Sequence, residues 1–106
     1  MTTNTTLTFY ARPEGESPII DFLLTGLSDK ERGKCYAYME LLEEHGNRLS
    51  AQYIKHIEGD IWELRPEFGG SEMRFFYFMW VDDLIVIVHA MKKKRAKTKR
   101  SDIKLA

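Results

Sequence analysis

Arg65 and Arg74 lie in two neighbouring segments, IWELRPEF and EMRFFYFMWV, whose side chains alternate as strands do and which meet at Gly69-Gly70. A two-residue turn there sets Arg65 directly opposite Arg74, a like-charge pair that costs up to about 1 kcal/mol on a bare sheet. Two guanidinium forks at that separation match the oxygens of a tetrahedral anion such as phosphate, which would relieve the repulsion. Glu67 and Glu72 come opposite each other one step away, so the four charges could instead neutralise one another as an exposed checkerboard. Register alone leaves both arrangements open.

A second turn at Asp82-Asp83 returns the chain as DLIVIVHAMK and sets Met91 beside Arg74, His89 beside Phe76 and Lys93 opposite Glu72. Alternation then gathers Glu63, Arg65, Glu67, Glu72, Arg74, Phe76, His89, Met91 and Lys93 on one face. The opposite face carries Trp62, Leu64, Met73, Phe75, Tyr77 and Met79 with Leu84, Val86 and Val88, and is the one for helices to cover. His89 closes an apolar strand, where a hydrogen-bonded core histidine and a proton carrier with a pKa near 6.5 are both reasonable. Lys55 and His56 stand in SAQYIKHIEGD, a segment with no clear element, either as loop surface or as a cation and a base directed at the ionic face. Three scattered histidines and one cysteine give no metal-ligand spacing, and no glycine-rich phosphate loop or nucleophile elbow is present. No cofactor or metal is expected.

The elements that must position these groups begin with LTFYAR, residues 7 to 12, as a short strand ended by Pro13 and Gly15. Ser17 and Pro18 read as N-cap and first turn of a helix over IIDFLLT that Gly26 stops. Ser28 and Glu31 form a capping box for a second helix over residues 29 to 45, with Cys35, Tyr38 or Met39, and Leu42 on its apolar side and Gly46 as C-cap. Gly33 inside it costs about 1 kcal/mol relative to alanine. The order β-α-α-β-β-β predicts an α+β domain, 1 to 106, with two helices packed on one face of a small, largely antiparallel sheet.

At 106 residues, 43% hydrophobic and 30% charged, the chain is one globular domain and not a disordered one. Its zero net charge conceals a division: residues 1 to 91 carry 8 Lys and Arg against 15 Asp and Glu, whereas residues 92 to 106 carry 8 against 1. A basic tail on an acidic body suits a local polyanion such as nucleic acid, or is a solvated terminus. Cys35 has no partner for a disulfide, no signal-peptide pattern opens the chain, and no apolar run approaches the roughly 20 residues of a membrane span. A cytoplasmic location and no membrane contact are expected.

Trp62-Glu63-Leu64-Arg65, Met73-Arg74-Phe75-Phe76-Tyr77, His89-Ala90-Met91, Lys93-Lys94 and Lys97-Thr98, in that order, resemble the RelE/HigB superfamily of bacterial toxin-antitoxin toxins, particularly its phage-derived HigB-like branch. SPIIDFL and SDKERGK are similar to the two helices of that family, so the resemblance covers nearly the whole chain. It implies a RelE-like fold and a metal-independent, ribosome-dependent endoribonuclease that cuts mRNA by attack of a ribose 2′-hydroxyl on the adjacent phosphate. Carried over, it implies that Arg65 and Arg74 clamp the scissile phosphate and that Lys93 and Lys94 add positive charge. Lys55 or His56 then offers proton transfer, with His89 a second acid or base. Lys92, Arg95, Lys97, Lys99 and Arg100 would touch RNA. The implied partners are the ribosome, mRNA and a cognate antitoxin, a helix-turn-helix DNA-binding protein. Exposed Phe78, Trp80 and Ile87 on the second face offer a groove for that antitoxin or a self-association surface. The chain departs from the family's pattern at Lys99, where proline is common, and at Ala106, where many relatives continue into a helix carrying an aromatic catalytic residue. The same fold also serves ParE-like inhibitors of DNA gyrase, and a catalytically silent prophage remnant that binds RNA is a third alternative.

Overall fold

In a computed structural model, residues 6–81 and 83–94 are described, the last by its backbone alone. The elements run β1 (Thr6–Phe9), α1 (Pro18–Thr25), α2 (Asp29–His45), a 3-10 turn (Gly46–Arg48), β2 (Ile54–Glu58), β3 (Ile61–Leu64), β4 (Glu67–Phe68), β5 (Ser71–Trp80) and β6 (Leu84–Lys94). The sheet order is β1-β6-β5-β3-β2, with the short β4 also paired to β5. Only β1, parallel to β6, departs from antiparallel pairing among these strands. The expected α+β architecture is therefore present, with an additional edge strand, β2, through the segment left without an element.

Both helices begin and end where their capping residues put them. The Ser17 side chain accepts from the Ile20 N–H at 3.3 Å, and Pro18 occupies the first turn, where its missing N–H costs nothing. In α2 the Ser28 hydroxyl accepts from Glu31 N at 3.2 Å, while the Glu31 carboxylate accepts from Ser28 N at 2.9 Å. Gly46 ends α2 at a φ of 60°, a conformation that favours glycine. Cys35, Met39 and Leu42 from α2, with Ile19 and Leu23 from α1, bury against Leu64, Met73, Phe75 and Tyr77 of the sheet. Phe22 meets Phe75 edge to face at 5.8 Å. That packing fixes which side of the sheet is closed and leaves the other open.

Gly69-Gly70 turns the chain in the expected register, with Glu67 paired to Glu72 and Leu64 to Phe75. The strand expected to be continuous over IWELRPEF breaks at Arg65-Pro66, because proline has no N–H to give the ladder; Met73 N donates to Pro66 O at 2.8 Å instead. The outer half of the next hairpin also keeps the expected register, pairing Arg74 with Met91, Phe76 with His89 and Glu72 with Lys93. Its inner half does not. Trp80 pairs with Leu84 across a wider turn that begins at Val81, whose φ is 56°, and a bulge between Phe76 and Tyr77 restores the register beyond it. The core residues of inner β6 are consequently Ile85 and Ile87, each 0% exposed, and not Leu84, Val86 and Val88. Ile87 is thus removed from any exposed groove, while Phe78 and Trp80 remain on the surface, edge to face at 6.2 Å.

Candidate anion site and edge-strand cleft

The open side of the sheet brings Arg65 and Arg74 together, but around an anion that the protein supplies. Glu63 precedes Arg65 by two residues on β3, so both side chains leave the sheet on the same side. Glu63 Oε1 lies 3.4 Å from Arg65 Nε and Oε2 lies 3.5 Å from Arg74 Nε. Glu72, two residues before Arg74 on β5, adds a hydrogen bond from Arg74 Nη2 at 2.5 Å. Arg74 is buried, at 8% exposure. That leaves Arg74 closed to the phosphate clamp implied for the pair, and the cause is local: three same-face carboxylates compete for two guanidiniums, and Arg74 lies between the two nearest.

Arg65 differs. Its side chain keeps 32% of its surface, because the break at Pro66 takes it out of the ladder, while its backbone N–H donates to Tyr53 O at 2.8 Å. Its Nε is closed to solvent and has no hydrogen-bond partner. Arg65 also borders a cleft of about 570 Å³ that runs along edge strand β2, with Leu49, Ile54, Lys55, His56 and Trp62 among its walls. The structure therefore unites Arg65 with Lys55 and His56, which stand in a segment whose strand character was not apparent. Lys55 is the cross-strand partner of Glu63, and His56 that of Trp62.

The His56 ring is fixed twice. It leans on Trp62 at 4.8 Å between centroids, and its Nε2–H donates to the Gly59 carbonyl at 2.7 Å. In the neutral ring that bond leaves Nδ1 as the proton acceptor. His89 stands apart from the cleft, exposed on the open face and stacked over Phe76 at 5.8 Å with the planes 21° apart. Lys93 is exposed on that face beside Glu72.

Lys92, expected to touch RNA, points to the helices instead, and its ammonium donates to Glu31 at 3.1 Å. The outer strand's alternation dictates this, since Lys92 and Ala90 share the core side. The backbone N–H of Ser28, then Lys92 and Ser71, hold the Glu31 carboxyl at about 2, against the opposing effect of its partial burial. Burial pushes the Cys35 thiol up to about 12, which removes it as a nucleophile. The Lys94 side chain and all of Arg95, Lys97, Lys99 and Arg100 lie outside the described residues.

Glu63, Asn47 and Trp62 are site residues that received no role from sequence. Glu63 was placed on the ionic face by alternation, and its distance of two residues from Arg65 was the available signal. Trp62 was visible only as part of the Trp62-Glu63-Leu64-Arg65 motif and Asn47 carried no signal, because the cleft forms only when the 3-10 turn and β2 come together. Among the described residues no three His, Cys, Asp or Glu side chains group as a metal site requires, and no helix is long and apolar enough to cross a membrane.

Residues 23–106 match the family described as phage-derived Gp49-like protein. No curated protein matches the chain. Among solved structures, a chain of the archaeal RelE-RelB complex from Pyrococcus horikoshii OT3 is similar in fold, with a TM-score of 0.56 and 15% identity over 90% of this chain and 99% of that one.

Proposed function

The chain belongs to the phage-derived Gp49-like family, and on that premise we propose that it is the toxin of a toxin-antitoxin pair, an endoribonuclease that cuts mRNA on the ribosome. The observation that carries the proposal is that Arg65, Lys55 and His56 all line one cleft at the sheet edge. Cleavage by a 2′-hydroxyl requires a proton acceptor, positive charge for the phosphorane-like transition state and a proton donor for the leaving 5′-oxygen. In this reading Arg65 and Lys55 contact the scissile phosphate, and His56 Nδ1 accepts the 2′-proton. The bond from O2′ to phosphorus forms as the bond to O5′ breaks and O5′ takes a proton from the Lys55 ammonium, leaving a 2′,3′-cyclic phosphate and a 5′-hydroxyl.

Arg74 is assigned a positioning role in place of direct phosphate contact, since it holds Glu63, which in turn orients Arg65. His89 and Lys93 line the open face along which the message continues, and Lys94, Arg95, Lys97, Lys99 and Arg100 supply charge for ribosomal or messenger RNA. The cognate antitoxin, proposed as a helix-turn-helix protein, is the neutralising partner. That the structural relative is found in a RelE-RelB complex supports an antitoxin partner.

Primer extension on cellular message after brief expression tests the proposal: cuts at fixed codon positions, lost in Arg65→Ala, are expected. The burial of Arg74 among carboxylates favours a second reading, a toxin that binds without cutting, as ParE-like gyrase inhibitors do. DNA damage without message cleavage would establish that reading and reject the nuclease.

A further inference from the structure

The cleft along β2 is larger and more varied in lining than a phosphate contact needs. Its volume of about 570 Å³ falls within the range of small-molecule pockets, roughly 300 to 1,000 Å³. Its polar groups are few and placed. Arg65 and Lys55 bring positive charge; Trp62, backed by the His56 ring, brings an aromatic wall; Leu49 and Ile54 bring an apolar floor. Asn47 and Ala51 complete it.

Asn47 adds a directional element. The Tyr77 hydroxyl, on a residue 0% exposed, donates to Asn47 Oδ1 at 2.8 Å. With Oδ1 engaged by that hydroxyl, Nδ2–H is the group Asn47 has left to offer the cleft it lines. An oriented amide donor, an aromatic wall and two cations are together complementary to a nucleotide: an acceptor-bearing base edge, a flat π face and a phosphate. Phosphate alone would leave the wall and the amide unused.

We infer that the cleft seats one nucleobase of the RNA next to the scissile phosphate, stacked on Trp62 with its acceptor edge towards the Asn47 amide. The inference rests on the proposed nuclease reading for its substrate, and it assigns that substrate a base-reading subsite. Aromatic stacking of one base is worth about 1 to 3 kcal/mol, or roughly 5- to 150-fold in affinity.

The test uses the full chain carrying Trp80→Phe, in which Trp62 is the only tryptophan, titrated with each of the four nucleoside 3′-monophosphates and with inorganic phosphate. At least one nucleotide quenches Trp62 fluorescence, and inorganic phosphate does not. Adding Ala51→Phe, at an exposed position on the cleft wall, weakens that nucleotide on the order of 10-fold or more while leaving the melting temperature unchanged. Equal responses to nucleotide and phosphate, no response to either, or unchanged affinity in Ala51→Phe overturns the inference. The two readings separate in parallel cleavage assays. Message cuts by a protein that binds no nucleotide in the cleft leave the nuclease standing without this subsite. Nucleotide binding with no cuts leaves the subsite standing without the nuclease.

Discussion

Arg65 and Arg74 share a carboxylate and yet differ in what each one does for the fold. Arg74 is held by Glu63 and Glu72 at 8% exposure, so removing it takes a buried cation from two partly desolvated carboxylates, and Arg74→Ala is expected to destabilise the protein by about 3 kcal/mol. Arg65, with a third of its side chain in solvent, holds no comparable network. Arg65→Ala is expected to stay within about 1 kcal/mol of the parent, as chemical denaturation of both variants will show. Loss of toxicity in Arg74→Ala would then reflect folding and positioning, whereas the same loss in Arg65→Ala reports on contact with the substrate. Alternation alone was sufficient to put both arginines on one face with Glu63. It could not say which cation that carboxylate would bury, because burial depends on the break at Pro66 and on packing across strands.

Local chemistry made the helices readable. Ser17, Pro18 and Gly26 bound α1, and the Ser28-Glu31 box and Gly46 bound α2, because caps act through hydrogen bonds within a few residues. Gly33 lies inside α2 with no atom within 4 Å of where a Cβ would sit. Gly33→Ala should therefore raise stability by about 1 kcal/mol, measurable as a higher denaturation midpoint. Strand β6 was legible only beyond its bulge, since the register of its inner half depends on Val81 adopting a positive φ, which nothing in that residue's type foretells. Edge strand β2 escaped notice because its pairing partner, and not an alternating pattern of its own, makes it a strand.

The tie from α2 to β6 belongs to the same scale. The Glu31 carboxyl, at about 2 in place of its ordinary 4.5, titrates lower in the folded protein than in the unfolded one. It therefore stabilises the fold above about pH 4.5, and that contribution is lost as pH falls from there towards 2. Glu31→Gln, which can still close the capping box, should flatten the acid part of the stability curve. Denaturation midpoints at pH 7 and pH 3 provide the comparison; an unchanged slope in the variant would remove Glu31 as the source.

Over the whole molecule the charge is divided, with a net −7 over residues 1 to 91 and +7 over residues 92 to 106. Part of that basic segment is structural, because β6 extends to Lys94 and Lys92 is committed to Glu31. The remainder is proposed to meet phosphate, so affinity for single-stranded RNA should fall linearly with the logarithm of salt concentration. Deleting residues 95–106 should make that slope shallower. The architecture, an α+β layer with two helices on one face, was legible from element order and from the aromatic strands that need covering. The cleft was not, for it is assembled from the 3-10 turn, the loop that follows it, edge strand β2 and the end of β3, which meet only in the folded chain.

The most direct measurement maps message ends after incubation of ribosomes and mRNA with the purified protein and with Arg65→Ala, each verified to melt like the other. Cuts at fixed codon positions with the parent and their loss with Arg65→Ala are predicted. Identical cutting by Arg65→Ala, or an intact message beside the folded parent, would contradict the assignment of this face and its cleft to RNA cleavage.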